Sequence, residues 1–293
     1  MNCAFWGASL PLAGNLWLRL QGRKKTHCCR LLCYIHNMLT AITREVSSSL
    51  ASCELSFIPR QPIDLAKARA QHHAYQELLR KLGARVISLP EDPALPDSMF
   101  VEDPAIVLDE LAVICPLGAE TRRKEAATLA TALEKFRKLS YVKLPGLLEG
   151  GDVLRVGKKI FVGLTRRSNA EGIRQLAVIV SQFGYDLTAV PVSGCLHLKS
   201  AVTCLGRNTL LGNRAWFQWA RLAGFDWVEV DPAEPHAANA LAIAETVVFP
   251  TSFPRTRERL EAKGFRIMPI EIGELQKAES GLTCSSLLFD APE

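Results

Sequence analysis

Reactive side chains are concentrated in four short stretches of this 293-residue sequence. In each stretch, acids, a histidine or a cysteine stand among glycines and apolar residues. The stretches are LPDSMFVEDPAIV (95–107) with Asp97, Glu102 and Asp103; LEGGDVL (148–154) with Glu149 and Asp152; GCLHLKSAV (194–202) with His197; and GLTCSSLLF (281–289) with Cys284. If the fold brings them together, one cavity receives a thiol, an imidazole and several carboxylates.

This combination of groups predicts a particular chemistry. A cysteine beside a histidine is a nucleophile with its proton shuttle. A carboxylate behind the imidazole, for which Glu149 is the candidate, would fix the histidine tautomer and favour the protonated form. Further carboxylates are costly to bury unless a cation binds there, and a planar guanidinium suits paired carboxylates. The residues therefore predict attack of a thiolate on a cationic, guanidine-like carbon.

Each of these residues also has a plain structural interpretation. Cys284 is flanked by apolar and small residues, which is typical of a buried cysteine in a strand. His197 would then be an ordinary core or surface histidine, as expected for His72 in a predicted helix, which would pack or face solvent. Glu149 would belong to an ordinary turn. Cys195 is a rival nucleophile, because alternation along a strand would place it on the same face as His197. Spacing alone leaves these alternatives open.

A sequence pattern repeats along the chain and predicts the elements that position these stretches. The pattern is the end of a helix marked by glycine, followed by a short apolar strand. It occurs in LGARVISLP (82–90), FGYDLTAVPV (183–192), AGFDWVEVDP (223–232) and KGFRIMPIEI (263–272), and KFRKLSYVKLP (135–145) is a copy without the glycine. Glycine suits the residue after a helix because it adopts positive φ without penalty. Units also open with two apolar runs around a polar turn, which predicts a hairpin-like pair of strands.

The sequence therefore predicts an α/β fold of repeated strand–strand–helix–strand (ββαβ) modules. Four modules are continuous in the chain. The fifth is assembled from both ends: a strand around Cys284–Leu288, a strand near Ala41–Val46, and the helix and strand of residues 63–90. Closing a ring in this way removes open sheet edges and leaves a central channel. Cys284 is then expected on an inner strand of the closing module, near the axis.

Composition and charge narrow the function classes. The chain has 35 basic and 30 acidic residues. Five of the basic residues lie in the acid-free segment 1–37, so the remainder is balanced. A neutral body lacks the electrostatic footprint expected for nucleic-acid binding, and the sequence has no apolar run of 18 residues that would predict a membrane span. Its nine cysteines are odd in number and irregularly spaced, which predicts reduced thiols in a cytoplasmic compartment.

The first 37 residues differ in character from the rest. Their apolar part precedes the charges, which is the reverse of a secretory signal, although the lack of acids is mildly typical of an organelle transit peptide. The cysteines and histidines of residues 27–36 form a weak metal-like cluster without a second matching half. We expect residues 1–37 to be a disordered or adventitious extension and residues 38–293 to be a single catalytic domain.

As an ordered set, the motifs resemble the dimethylarginine dimethylaminohydrolases, members of the guanidino-group-modifying (pentein) superfamily. The stretches that carry the resemblance are LPDSMFVEDPAIV, LEGGDVL, VGLTRRSNAEG, CLHLKS, PAEPHAANAL and KAESGLTCSSL. The resemblance runs from about Met38 to Phe289 and leaves residues 1–37 outside. The family's fold is a five-bladed α/β propeller of ββαβ modules, which agrees with the ring predicted from the repeat.

The resemblance implies roles for individual residues. Cys284 stands where the family has its nucleophile, His197 where it has the general acid/base, and Glu149 where it has the acid that orients the histidine. The matching substrate-binding positions are Leu55 (a lid residue near the α-amino group), Asp97, Glu102 and Asp103 (acids that hold substrate), Arg122 and Arg167 (arginines that grip the carboxylate), and Ala278 (a backbone carbonyl contact).

The implied reaction converts dimethyl- or monomethyl-L-arginine to L-citrulline and dimethylamine or methylamine. Cys284 attacks the guanidinium carbon, His197 protonates the departing amine, and water releases citrulline from a thiouronium adduct. The resemblance implies no cofactor and no required metal, and zinc bridging Cys284 and His197 would be inhibitory. We expect a small cationic substrate, no nucleic-acid or membrane partner, a cytoplasmic location, and a monomer or homodimer.

Two alternatives deserve a test. Arginine deiminases share the fold and the nucleophile but typically carry His-x-Asp, whereas this chain reads His197-Leu198-Lys199. That difference favours a methylated substrate. A non-catalytic scaffold of the same fold would have no use for Cys284, His197 and Glu149 together.

Overall fold

The computed structural model describes residues 37–292. Residues His36–Glu293 form one compact unit. The predicted extension, residues 1–37, lies outside the described residues except for Asn37, which begins the first strand and pairs with Pro292. No helix in the described part of the chain is long and apolar enough to cross a membrane.

The described residues contain five three-stranded sheets. The strands are β1 (Asn37–Arg44), β2 (Arg85–Leu89), β3 (Ala105–Val107), β4 (Leu111–Ile114), β5 (Lys138–Tyr141), β6 (Val153–Val156), β7 (Lys159–Leu164), β8 (Asp186–Pro191), β9 (Val202–Cys204), β10 (Thr209–Gly212), β11 (Asp226–Glu229), β12 (Leu241–Ile243), β13 (Thr246–Pro250), β14 (Arg266–Ile270) and β15 (Leu287–Pro292). The α-helices are α1 (Leu65–Lys81), α2 (Glu125–Leu133), α3 (Ala170–Ser181), α4 (Leu198–Ala201), α5 (Pro254–Ala262) and α6 (Gly273–Gln276).

All five sheets have the same topology. The middle strand pairs antiparallel with the first strand and parallel with the third. Four sheets use consecutive strands, and the fifth joins β15 to β1 and β2. The predicted closing module, built from both ends of the described chain, is therefore confirmed.

The first strand of every module faces one central cavity. This cavity, about 290 Å³ in volume, is lined by residues of β3, β6, β9, β12 and β15. Five modules whose first strands surround one cavity form the ring with a channel that the repeat predicted, and the expected five-module α/β fold is confirmed.

Glycine closes the helical segment of four modules, as the repeat predicted. Gly83, Gly184, Gly224 and Gly264 all have positive φ, between +74° and +91°. Helix α1 is capped at its N-terminus by Asp64, whose carboxylate accepts the amide of Lys67 at 3.1 Å. These local signals end the helices so that the third strand can return to the sheet.

The module of β9, β10 and β11 departs from the predicted ββαβ pattern. Between β10 and β11 the chain forms two 3₁₀ turns, Arg214–Trp216 and Trp219–Leu222, instead of an α-helix. The segment is short and rich in bulky aromatic residues. Phe217 stacks on Trp227 of β11, with ring centroids 6.0 Å apart. Aromatic packing against the sheet thus replaces the apolar face of a regular helix.

Cys284 does not lie on a strand, contrary to the prediction. It belongs to a 3₁₀ turn, Thr283–Ser285, and β15 begins only at Leu287. The expected alternation of Cys195 and His197 along a strand is also wrong, because neither residue lies in a strand and His197 is the N-cap of α4. Because the backbone before the first strand of a module is irregular, these side chains do not have to alternate between the two faces of a sheet.

Candidate functional site

The predicted site residues come from different modules but occupy equivalent places in them. Residues 97–103 precede β3, Glu149 precedes β6, His197 precedes β9 through the short helix α4, and Cys284 precedes β15. Because first strands start at the same end of the ring, their preceding loops meet there. In the module of β12, Asn239 takes this place, and its side chain accepts the amide of Thr283 at 3.1 Å.

A small pocket of about 20 Å³ lies where these loops meet. Its walls include seven of the predicted residues: Asp97, Asp103, Arg122, Arg167, His197, Ala278 and Cys284. The remaining wall residues are Glu54, Phe100, Leu196, Glu279 and Ser280. The pocket therefore brings together the thiol, the imidazole, two acids and both arginines that the sequence singled out.

His197 and Glu149 form a short, buried hydrogen bond. His197 Nε2 lies 2.6 Å from Glu149 Oε2, and the two residues are 4% and 0% exposed. The other carboxylate oxygen of Glu149 accepts the amide of Gly118 at 2.9 Å and lies 3.3 Å from Arg167 Nη1. Glu149 is thus fully engaged, and it fixes which imidazole nitrogen faces away from the pocket.

Charge around the pair determines its protonation. Burial lowers the pKa of His197, but Asp103, Glu149 and Asp152 outweigh burial and raise the pKa to about 9. Burial opposes ionisation of Glu149, yet the hydrogen bond and charge of His197 hold the pKa of this carboxyl below its usual value. In the ligand-free protein the pair is an imidazolium and a carboxylate.

Gly150 and Gly151, which follow Glu149, allow neighbouring groups to pack closely against the backbone at this site. A methyl group on Gly151 would lie 2.5 Å from Nδ1 of His197, and one on Gly150 would lie 2.0 Å from the carbonyl oxygen of Glu102. The Gly-Gly pair of the LEGGDVL stretch is therefore explained by space rather than by turn geometry, since neither residue has positive φ.

Cys284 is partly exposed, and its sulfur accepts a weak hydrogen bond from the amide of Gly281 at 3.4 Å. Burial of the thiol and the nearby carboxylates of Glu102 and Asp103 raise its pKa to about 12. The ligand-free site thus holds a neutral thiol beside a protonated imidazole. A cation bound next to the sulfur would oppose the effect of the carboxylates and lower the thiol pKa.

Asp103 and Arg122 form part of a buried ion cluster. Arg122 Nη1 lies 2.9 Å from Asp103 Oδ2, and its other nitrogens form two 2.9 Å bonds to Glu125. The second oxygen of Asp103 is buried without a hydrogen-bond partner, 4.0 Å from His197 Nδ1. An unpaired carboxylate oxygen is costly to bury and is a ready acceptor for a cationic donor entering the pocket.

Glu125 was not among the predicted residues. It lies on α2 and its pKa is raised to about 7, because burial outweighs the attraction of Arg122. The only signal in the sequence was its spacing of three from Arg122, which places the two side chains on one side of a helical turn.

Arg167 and Asp97 hold the loop that precedes α1. Arg167 Nη2 lies 3.2 Å from Ser56 Oγ. The carboxylate of Asp97 accepts the amide of Glu54 at 3.1–3.2 Å, and burial raises its pKa. Leu55, the predicted lid residue, lies between these contacts but is not a wall of the small pocket, and its side chain packs against the core around α1.

Glu102 is set apart from the other predicted acids. It lines the central cavity and not the small pocket, where it forms an ion pair with Lys199 and accepts a hydrogen bond from Thr283 Oγ1 at 2.8 Å. Its amide donates to the carbonyl of Cys284 at 3.3 Å. In this arrangement Glu102 supports the turn that carries Cys284.

Asp152 supports His197 from behind. Its carboxylate accepts the amide of Leu198 at 2.9 Å and the hydroxyls of Thr165 and Ser168 at 2.7 and 2.6 Å. Burial dominates and raises the pKa of this group to about 6. These contacts fix the start of α4 and hence the position of the imidazole.

The wall residues that sequence reasoning missed stand next to residues that it found. Phe100 lies within the first reactive stretch, Leu196 precedes His197, and Glu279 with Ser280 follows Ala278. Membership of the same motif was the available signal, but their types do not predict whether they face the pocket.

One cluster has the donor atoms of a metal site. Single ligand atoms of Asp103, Glu149 and His197 lie within 4.8 Å of one another. However, Asp103 is paired with Arg122 and Glu149 lies beside Arg167, so guanidinium groups already supply positive charge to these acids. The expected inhibitory zinc site at Cys284 and His197 stays a prediction.

Cys284, His197 and Glu149 lie together at one end of a ring of five α/β modules, an arrangement that suits covalent catalysis by a cysteine. A family model for eukaryotic N,N dimethylarginine dimethylhydrolase matches residues 57–211. N(G),N(G)-dimethylarginine dimethylaminohydrolase of Pseudomonas aeruginosa is 35% identical over 228 residues, which cover 77% of this chain and 90% of the relative. The enzyme of the same name from Streptomyces coelicolor is 36% identical and covers 84% of this chain and 95% of the relative. The chain belongs to the dimethylarginine dimethylaminohydrolase family.

Solved structures agree with this assignment. The Pseudomonas aeruginosa enzyme, as a cysteine-to-serine mutant complexed with citrulline, superposes with a TM-score of 0.82 at 33% identity and covers 86% of this chain and 100% of its own. The N-terminal domain of ArgZ, a cyanobacterial arginine dihydrolase, gives a TM-score of 0.75 at 16% identity, with coverage of 85% and 97%. This second likeness concerns the fold alone.

Proposed function

We propose that this chain hydrolyses Nω,Nω-dimethyl-L-arginine, and the monomethyl form, to L-citrulline and the corresponding amine. The observation that carries the proposal is the small pocket, in which Cys284 and the Glu149-bound His197 meet the acids and arginines expected around a guanidino amino acid. The relatives at 35–36% identity carry the name of this activity.

The cationic end of the substrate fits the acids of the pocket. The unpaired oxygen of Asp103 accepts an N–H of the guanidinium, which leaves the guanidinium carbon near Cys284 and His197. The amino-acid end is held by Asp97, by the carbonyl of Ala278 and by the backbone near Leu55, while Arg122 and Arg167 bind its carboxylate. Both arginines first exchange internal acid partners for the substrate, because Arg122 now contacts Asp103 and Glu125, and Arg167 contacts Glu149.

Covalent chemistry follows from the protonation of the ligand-free site. Arrival of the guanidinium lowers the thiol pKa, and the thiol proton passes to solvent water as substrate binds. The Cys284 thiolate forms an S–C bond to the guanidinium carbon. The imidazolium of His197 gives its proton to the dimethylamine nitrogen, the C–N bond breaks, and an S-alkylthiouronium adduct remains.

Water completes the cycle. The neutral imidazole of His197 takes one proton from the attacking water as a C–O bond forms. The C–S bond then breaks, and the remaining hydroxyl proton passes to the departing sulfur, which releases citrulline and the neutral Cys284 thiol. Glu149 keeps the imidazole in place and stabilises its charged form at each turnover. The released amine takes up the proton that the thiol gave to water, so the cycle ends with the neutral thiol and the imidazolium restored.

The test uses four substrates and two matched serine variants. Purified protein is incubated separately with asymmetric dimethylarginine, monomethylarginine, arginine and agmatine, and the ureido product is measured. We expect turnover of the methylated arginines, complete loss in Cys284→Ser with the fold retained, and near-normal rates in Cys195→Ser. Cys195 is the matched control because it lies near His197 but lines a different cavity. Its sulfur lies 3.3 Å from the carbonyl of His197, a contact that a serine hydroxyl can also make.

Other outcomes identify the alternatives. Turnover of arginine alone would make the chain an arginine deiminase. That result would contradict the preference for a methylated substrate inferred from His197-Leu198-Lys199, in which Lys199 contacts Glu102. Failure with all four substrates would favour a scaffold. An inactive Cys195→Ser beside an active Cys284→Ser would overturn the assignment of the nucleophile.

A further inference from the structure

The loop of residues 54–61, called here the lid segment, is held mainly by polar contacts, among them contacts with Asp97, Thr121, Arg167 and Glu279. It contains no helix or strand, and five of its residues are exposed: Ser56, Phe57, Pro59, Arg60 and Gln61. A loop with little buried apolar surface depends on a few polar contacts for its position. Those contacts therefore decide whether the lid segment is open or closed.

Two of these contacts come from Glu279. Its two carboxylate oxygens accept the backbone amides of Ser56 at 2.7 Å and Phe57 at 2.6 Å. Charge-assisted hydrogen bonds are roughly twice as strong as neutral ones, and this side chain makes two of them to adjacent residues of the lid. A neutral or shorter side chain cannot reproduce both.

The backbone of Glu279 is held in an unusual conformation. Its φ is +59°, a left-handed value that is costly for a residue with a β-carbon. Glycine would adopt this conformation at less cost, so the presence of glutamate indicates that its side chain has a role here. Glu279 directly follows Ala278, whose carbonyl is proposed to contact substrate, so the contact with the lid and the substrate contact share one stretch of backbone.

Glu279 also separates two cavities. The small pocket of about 20 Å³ contains Cys284, and a second cavity of about 360 Å³ is lined by Phe57, Ile58 and Pro59 of the lid segment. Glu279 is a wall of both. A space of about 20 Å³ holds roughly one water molecule, so a methylated arginine can enter only if a wall moves. Glu54 of the lid segment is one of these walls, and the segment has no regular structure to hold it in place.

We infer that Glu279 is a latch: its carboxylate holds the lid segment closed over Cys284, and its release joins the two cavities so that ligands exchange. Its effect on turnover rests on the proposed function, whereas its effect on the lid does not. Glu279 is a positioning residue, since it acts through the lid and takes no part in bond making.

The first measurement is backbone amide exchange, which needs no activity. In Glu279→Ala, the amides of Ser56 and Phe57 should exchange at least about tenfold faster than in the parent protein, because two charge-assisted bonds are lost. Glu279→Gln should give a smaller increase, since its carbonyl oxygen can accept one amide. Glu245→Gln, an exposed glutamate paired with Arg207, is the control and should leave these amides unchanged.

The second measurement is alkylation of cysteines by iodoacetamide, read by mass spectrometry of each peptide. Cys284 should react several-fold faster in Glu279→Ala, while the core thiol of Cys115 should stay protected as an internal control for global opening. Unchanged amide exchange and unchanged Cys284 labelling in both Glu279 variants would overturn the latch. If the alanine variant does not fold, the glutamine variant decides.

Steady-state kinetics then separates the latch from a merely structural role. With asymmetric dimethylarginine, Glu279→Gln should raise KM about tenfold with a smaller change in kcat at an unchanged Tm, because a weakly closed lid binds substrate less well. A matching loss of Tm with no KM effect would overturn the latch. Faster amide exchange in a protein that turns over no substrate would support the latch and overturn the proposed function.

Discussion

Two buried histidines in this protein have opposite protonation behaviour. His197, in the candidate site, is 4% exposed, and its pKa is raised to about 9. His72, on α1, is 1% exposed, and its pKa is lowered to about 4. Burial acts on both in the same direction, since it disfavours the charged imidazole.

The carboxylates that face each ring make the difference. Burial is the largest influence on His72, and the attraction of Glu45 is too weak to reverse it, because Glu45 is exposed and solvent screens its charge. His197 faces three acids from two modules. A buried histidine alone is therefore no sign of a catalytic site, whereas a buried histidine surrounded by carboxylates that are themselves anchored is.

The largest expected effect is on turnover when each imidazole is removed. His197→Asn should lower kcat about 10²–10⁴-fold, because general acid–base catalysis is lost. His72→Asn should leave kcat within about twofold, since its ring lies outside the pocket that holds Cys284. Equal losses in both variants, measured at matched folded fractions by ureido product formation, would remove the functional distinction between the two regions.

The next effect concerns the carboxylate partner of each ring. Glu149→Gln should lower kcat by about 10²-fold, because the imidazolium loses its closest carboxylate partner and its orientation. Glu45→Gln is the matched control and should have little effect on kcat. The pH–rate profile of Glu149→Gln should also show a lower His197 pKa, and a profile identical to that of the parent would contradict the assigned pairing.

The smallest effect is a difference in the pH dependence of stability. The lowered pKa of His72 gives a contribution to the free energy of unfolding that is present above pH 6.5 and is lost as pH falls towards and below about 4. A shift of this size corresponds to about 3 kcal/mol at most. The raised pKa of His197 gives a contribution that is complete below pH 6.5 and is lost as pH rises through about 9.

Chemical denaturation between pH 4 and pH 9 measures both contributions. Stability of His72→Gln should depend less on pH than the parent on the acidic side, and stability of His197→Gln should depend less on pH on the alkaline side. If the two variants flatten the same side, the contrast between the histidines is wrong.

The sequence predicted the repeat because its signals are local. A glycine after a helix and an apolar strand beyond it are read within ten residues, and Gly83, Gly184 and Gly264 end helices as expected. The same pattern at Gly224 wrongly predicted an α-helix before the glycine. Aromatic packing of Phe217 on the sheet outweighed helix formation in that segment. That competition depends on a partner strand that local pattern does not reveal.

The sequence predicted which residues form the site better than it predicted the contacts between them. Motif spacing and the ring placed Cys284 and His197 at one end of the axis, and the pocket contains both. The pairing of Arg122 with Glu125 and the grip of Glu279 on the lid were missed. Both depend on side-chain directions set by tertiary packing, and neither residue type is distinctive in its stretch.

The closing sheet has a kinetic consequence. The turn that carries Cys284 leads into β15, and β15 pairs with β1 from the opposite end of the described chain. Contacts between such distant segments raise the contact order, and the loop-closure entropy that they cost is lost late in folding. A growing chain can therefore complete four modules and position His197 with Glu149 before the thiol reaches them. Reactivity at Cys284 would then report ring closure, and it would mark the moment at which a folding intermediate becomes the native molecule.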